Sequence, residues 1–89
     1  MDNKYITIYT KEVHEVAILF PKVISHNDML KMVKTKYPDA KILSAGFWWI
    51  DNENTYRVGG ESVSLNIGSR KKEDEFLINK DFNNCKIVV

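Results

Sequence analysis

The chain has 89 residues, the size of one domain, and at that length folding hides only about 60–65% of the surface of the unfolded chain, so the core is thin. Thirteen Lys and Arg against twelve Asp and Glu leave a net charge of +1, which argues against general nucleic-acid binding across a broad basic surface. Hydrophobic residues at 44% and charged residues at 28% describe an ordinary folded domain rather than a disordered one.

Cys85 is the one cysteine, so an intrachain disulfide and a thiolate metal cluster are both excluded, and a reducing, cytoplasmic setting is expected. The opening MDNKYITIYT is polar from its second residue, and no apolar run approaches the roughly 18 residues that span a bilayer. No membrane association is expected.

Residues 4–10 alternate Tyr5, Thr7 and Tyr9 against Ile6 and Ile8, which predicts a half-buried strand. Lys11-Glu12 reads as a hairpin corner, and Val13–Phe20 becomes a second strand covered on both faces in its later half. Pro21 stops it. Ser25 and Asp28 have capping-box spacing, so a helix starts near His26, buries Met29, Leu30, Val33 and Tyr37, exposes Lys31, Lys34 and Lys36, and stops before Pro38.

The stretch 41–67 reads as a three-stranded meander. Lys41–Ile50 is an apolar run containing Phe47, Trp48 and Trp49, and Asp51–Asn54 is a polar corner. Thr55–Val58 is rich in strand formers, Gly59-Gly60 reads as a two-residue turn, and Ser62–Ile67 alternates. That register sets Arg57 opposite Ser62, with Tyr56, Val58, Val63, Leu65 and Ile67 on one face. The other face carries Thr55, Arg57, Ser62, Ser64 and Asn66. Gly68-Ser69 then opens a second helix with Ser69 as N-cap, acidic Glu73, Asp74 and Glu75 in its first turns, and Phe76, Leu77 and the Lys80 stem over the sheet. After an Asn83-Asn84 turn, Cys85–Val89 returns to the sheet as a strand. The fold class is therefore α+β: one domain over residues 1–89, in the order β-β-α-β-β-β-α-β, a mostly antiparallel sheet with both helices on one face.

For chemistry the sequence offers little. His14 and His26 stand at unrelated spacings, fit capping or solvent-facing roles, and imply no metal or other cofactor. Gly60-Glu61-Ser62-Val63-Ser64 has part of a nucleophile elbow, but its serine falls inside a strand pattern and the closing glycine is missing, which leaves a small hydrolase as a remote reading. Ser69, Arg70 and Lys71 gather a hydroxyl and cations at a helix start, a recipe for holding a phosphate or carboxylate, with Arg57, Ser62 and Ser64 as neighbours. Arg70, as a first-turn surface cation, is expected to add little to stability. Trp48 and Trp49 point to opposite faces of their strand, so either both faces are covered or one tryptophan anchors a partner. With both helices on one face, the bare face implies a homodimer or larger assembly.

Three segments, Ile24-Ser25-His26, Ile42–Phe47 and Gly60–Ile67 followed by Ser69-Arg70 and Asp74, together resemble a pattern in small uncharacterised proteins carried by phages and prophages, over roughly residues 18–78. The resemblance implies a modulator or inhibitor of host machinery, including host defence, that binds a host protein or sequesters an anionic nucleotide signal, and is not an enzyme. It brings no catalytic residues.

Overall fold

The structure is a computed structural model and describes residues 3–80 and 86–89. Strand β1 (Asn3–Thr10) turns at residues 11–13 into β2 (His14–Phe20), and the Thr10 hydroxyl holds the corner by accepting the N–H groups of Glu12 and Val13. Helix α1 (His26–Lys36) follows, capped by the Ser25 hydroxyl, which accepts the Asp28 N–H at 3.0 Å. Tyr37 closes α1 just before Pro38, and β3 (Lys41–Ile50) and β4 (Tyr56–Gly59) form an antiparallel pair across the 51–55 corner. Two short strands, β5 (Glu61–Ser62) and β6 (Ile67–Gly68), precede α2 (Lys71–Asn79), and β7 (Lys86–Val88) is the last described element. The predicted Asn83-Asn84 turn and Cys85 lie outside the described residues.

The main sheet runs β4-β3-β1-β2-β7, antiparallel except for the parallel β2–β7 pair. It is an α+β domain with two helices and a mostly antiparallel sheet, as the sequence predicts. The helices, however, lie on opposite faces, not on one. Ile6, Ile8, Val16, Ile18 and Phe20 pack with Met29, Leu30 and Val33 of α1, whereas Tyr5, Ala17, Leu19 and Val58 pack with Leu77 and Ile78 of α2. Alternate residues of one strand point to opposite sides, so the two sets are the two faces of the sheet. The bare face that motivated a dimer is therefore covered in good part.

The predicted third strand of the meander does not form. Ser62 begins a loop, accepting the Leu65 N–H at 3.2 Å, and Asn66 takes φ 54°, a left-handed conformation that asparagine tolerates better than most residues. These local bonds turn Ser62–Ile67 into the β5–β6 hairpin, so Arg57 pairs with Trp49 and not with Ser62. Val63, predicted to face inward, is 85% exposed, while Ser62, assigned to the open polar row, is 1% exposed. The Gly59-Gly60 pair redirects the chain instead of closing a tight hairpin. Gly60 has φ +80°, and a Cβ there would stand 2.9 Å from the Phe47 ring.

Two further readings are corrected by packing. His26 is buried, edge-on between Phe20 and Phe47, with its Nε2 2.9 Å from the Gly46 carbonyl oxygen. Burial holds its imidazole below its ordinary value, the bond to Gly46 works the other way, and the Lys4 charge reinforces the lowering. Phe76 is 66% exposed beneath the Lys80 ammonium; the inward stripe of α2 is Asp74, Leu77 and Ile78, spaced three and one apart.

Candidate functional site

The geometry begins with the way α2 treats the free edge of β4. An edge strand leaves every second residue's N–H and C=O without a partner strand. Here Glu75 accepts the Val58 N–H at 3.0 Å, the Lys71 ammonium donates to the Val58 carbonyl at 3.0 Å, and Asn79 both accepts the Tyr56 N–H at 2.8 Å and donates to the Tyr56 carbonyl at 2.9 Å. Residues i, i+4 and i+8 of a helix rise about 6 Å per step, and alternate strand residues are about 6.6 Å apart, so one helical stripe matches one strand edge. The β4 edge is sealed by side chains.

This seal consumes two of the residues proposed from sequence as an anion site. Lys71 also pairs with Glu75 at 2.9 Å, and Arg57 pairs with Asp51 at 2.8 Å and Glu75 at 3.3 Å. Burial works against the Glu75 charge, but hydrogen bonds from Lys71 and the Val58 N–H, with the nearby cations, hold its carboxyl below the usual range. Backbone N–H groups of Thr55 and Glu53, together with Arg57, do the same for Asp51. Trp49 lies by this cluster, 39% exposed, with the Lys71 ammonium 5.8 Å from its ring.

Arg70 belongs to a second, separate network on the α2 face. Asp74 is wholly buried and accepts the Tyr5 hydroxyl at 2.6 Å, the Arg70 backbone N–H at 2.9 Å and the Arg70 guanidinium at 2.9 Å. The same guanidinium reaches Glu15 at 2.5 Å and Thr7 at 3.4 Å, and Thr7 shares a short hydrogen bond with Ser44. Burial first, then the bond to Asp74 and its charge, push the Tyr5 phenol well above its ordinary value. For Arg70, burial opposes the charge, and the bonds to Glu15 and Asp74 more than restore it. Arg70 is thus the counter-ion of a buried carboxylate and not an unengaged first-turn surface cation.

Ser69 is not the N-cap: Arg70 occupies that position without a side-chain cap bond, and Asp74 reaches back in its place. The Ser69 N–H donates to the Gly60 carbonyl at 3.0 Å, and its hydroxyl neighbours the Tyr5 phenol. Ser62 and Ser64 bond each other at 3.3 Å within their own loop. The proposed anion-site residues are therefore split among three places, and each of Arg57, Arg70 and Lys71 already faces a carboxylate.

Trp48 faces the α2 side, tilted against Tyr56 with ring centroids 5.4 Å apart, and its buried indole N–H has no hydrogen-bond partner among the described residues. It also lines a cleft of about 270 Å³ with Leu19, Val88 and Val89. On the other face, a cleft of about 230 Å³ is lined by Ile18, Met29, Met32, Tyr37 and Ile87, together with Lys36. Both clefts flank β7, the second edge of the sheet. The Val89 N–H bonds the Leu19 carbonyl at 2.8 Å, and backbone groups alternate along a strand, so the N–H and C=O of Val88 point away from β2. Among the described residues nothing pairs with that outer side, and Val88 is 67% exposed.

Ile87, Val88, Met32 and Lys36 went unnoticed as site residues in the sequence. The available signals were the apolar run IVV that follows Lys86, and a methionine one position off the buried stripe of α1. No helix among the described residues is long and apolar enough to cross a membrane. Comparison of the chain with protein-family models, with curated proteins and with solved structures finds no match.

Proposed function

We propose that this chain is a non-enzymatic binding protein that captures an extended segment of another protein along the outer side of β7. The observation that carries this reading is the unequal treatment of the two sheet edges. Lys71, Glu75 and Asn79 close β4, whereas among the described residues nothing pairs with the outward N–H and C=O of Val88, which lie between two apolar clefts. A strand added to an edge gains backbone hydrogen bonds and sends alternate side chains to the two faces. Here each face offers a cleft to receive them. Their volumes, about 230 and 270 Å³, fall below the roughly 300–1,000 Å³ of small-molecule pockets and suit single anchoring side chains. The resemblance to small phage-borne proteins supplies a setting, modulation of a host protein in the host cytoplasm. An anionic small molecule finds less support, because Arg57, Arg70 and Lys71 are each engaged by carboxylates.

The test is Val88→Pro, which removes the outward N–H yet no hydrogen bond to β2. In capture experiments from bacterial lysate, a partner retained stoichiometrically by the unmodified chain is expected to be lost with Val88→Pro, with little change in thermal midpoint. A partner retained equally by both would contradict the docking edge.

A further inference from the structure

The charges around the two edges differ in kind. Near β4 and at the start of α2, the cations Arg57, Arg70 and Lys71 lie within ion-pair distance of Asp51, Glu75, Glu15 or Asp74. Along α1, among the described residues, Lys31, Lys34 and Lys36 have no such carboxylate, and Lys36 lies at the mouth of the apolar cleft with its ammonium 5.5 Å from the Tyr37 ring centroid. The one acidic residue of α1, Asp28, is in the first turn, away from the basic last turn that carries Lys34 and Lys36. Of these three lysines, Lys36 is the one that lines the cleft next to β7.

We infer that the segment docked at β7 is acidic: an extended peptide whose apolar side chain fills the cleft between Met29, Met32 and Ile87 while a neighbouring Asp or Glu meets Lys36, with Lys31 and Lys34 steering its approach. This rests on the reading of β7 as the docking edge. Complementary charge at a rim sets partner choice and association rate more than it adds affinity. The two methionines are flexible and polarizable and can reshape the cleft around different anchors, so the charge supplies selectivity that the cleft lacks. Nucleic acid is the poorer occupant, because phosphates leave an apolar cleft unfilled and the whole chain carries only +1. A second copy is poorer too. Antiparallel pairing of two β7 edges about a two-fold axis normal to the sheet sets both α1 helices on one face, bringing like charges together across the seam.

The experiment selects binders from a displayed library of random short peptides on the immobilised chain, then measures the enriched peptides against the unmodified protein, Lys36→Glu and Val88→Pro. The expected result is enrichment of an apolar residue flanked by Asp or Glu. Binding of these peptides should weaken about tenfold with Lys36→Glu, the size of reversing one partly exposed charge pair, and disappear with Val88→Pro. Neutral or basic peptides that still depend on Val88 would overturn the acidic specificity and leave the docking edge standing. An empty selection, or peptides indifferent to Val88→Pro, would overturn both. Saturable binding of a labelled single-stranded oligonucleotide that Lys36→Glu removes, or a dimer in light scattering that Val88→Pro dissociates, would replace the acidic peptide by nucleic acid or by a second copy.

Discussion

Asp74→Ala is expected to lower stability by about 3 kcal/mol, since the change removes the carboxylate acceptor of a buried hydroxyl and a helix-start bond at once. The Tyr5 phenol donates to this carboxylate at 2.6 Å from a fully buried position, so its loss takes the charged acceptor from a buried O–H, a change worth about 1–3 kcal/mol. The reach back to the Arg70 N–H adds about 1 kcal/mol, the usual size of a cap. The ion pair itself adds less, because Arg70 is 31% exposed and keeps Glu15. For a domain of this size, 3 kcal/mol corresponds to a fall in thermal midpoint of about 15 °C. Asp74→Asn keeps an acceptor oxygen for Tyr5 and should cost about 1 kcal/mol. Equilibrium denaturation of the two variants checks this, and a loss below about 1 kcal/mol for Asp74→Ala would show that the buried carboxylate is not held as described.

Glu75→Ala should produce the other large change, about 2 kcal/mol of lost stability together with a new tendency to self-associate. Without the carboxylate, the N–H of buried Val58 has no partner and the β4 edge is reopened. Glu75→Gln retains an oxygen for that N–H and gives up only ion pairs with Lys71 and Arg57, which are 64% and 41% exposed, so it should cost less than about 1 kcal/mol. Light scattering at increasing concentration should separate them, with Glu75→Ala associating and Glu75→Gln remaining as the unmodified chain. Equal behaviour of the two variants would mean that the seal on β4 is not made by this side chain.

Local signals in the sequence account for α1 well, because each of them acts within a few residues. Ser25 caps its own first turn, Met29, Leu30 and Val33 lie on one side, and Pro38 pushes the residue before it out of the helical region. The strands were legible for the same reason, but the sides of the sheet were not. Tyr5 and Thr7 alternate with Ile6 and Ile8, and the polar half of that pattern looks solvent-facing; both are in fact buried under α2. Which helix covers which face depends on chain crossings that no short window contains. Ser62–Ile67 misled in another way, since its alternation is real and is overruled by one hydroxyl and one left-handed asparagine.

The site was less legible still. Lys71 and Glu75 have the spacing of an ordinary exposed helix pair, and nothing local reveals that Asn79 extends the stripe along a strand edge. Asp74 begins the buried stripe of α2, so the apolar period there starts with a carboxylate and Ile78 was passed over in favour of Phe76. For β7, strand character could be read from IVV, but its place at the edge of the sheet follows only from pairing with β2, a partner distant in sequence.

Amide hydrogen exchange at two residues, Val58 and Val88, tests the contrast between a sealed and an open edge most directly. The Val58 N–H is bonded to Glu75, whereas the Val88 N–H points away from β2. In the free protein, Val58 should exchange slowly, at a rate set by opening of the sheet, and Val88 should exchange near the rate of an unstructured amide, slowing when a selected peptide is added. A fast Val58, or a Val88 already protected in the free monomer, would contradict it.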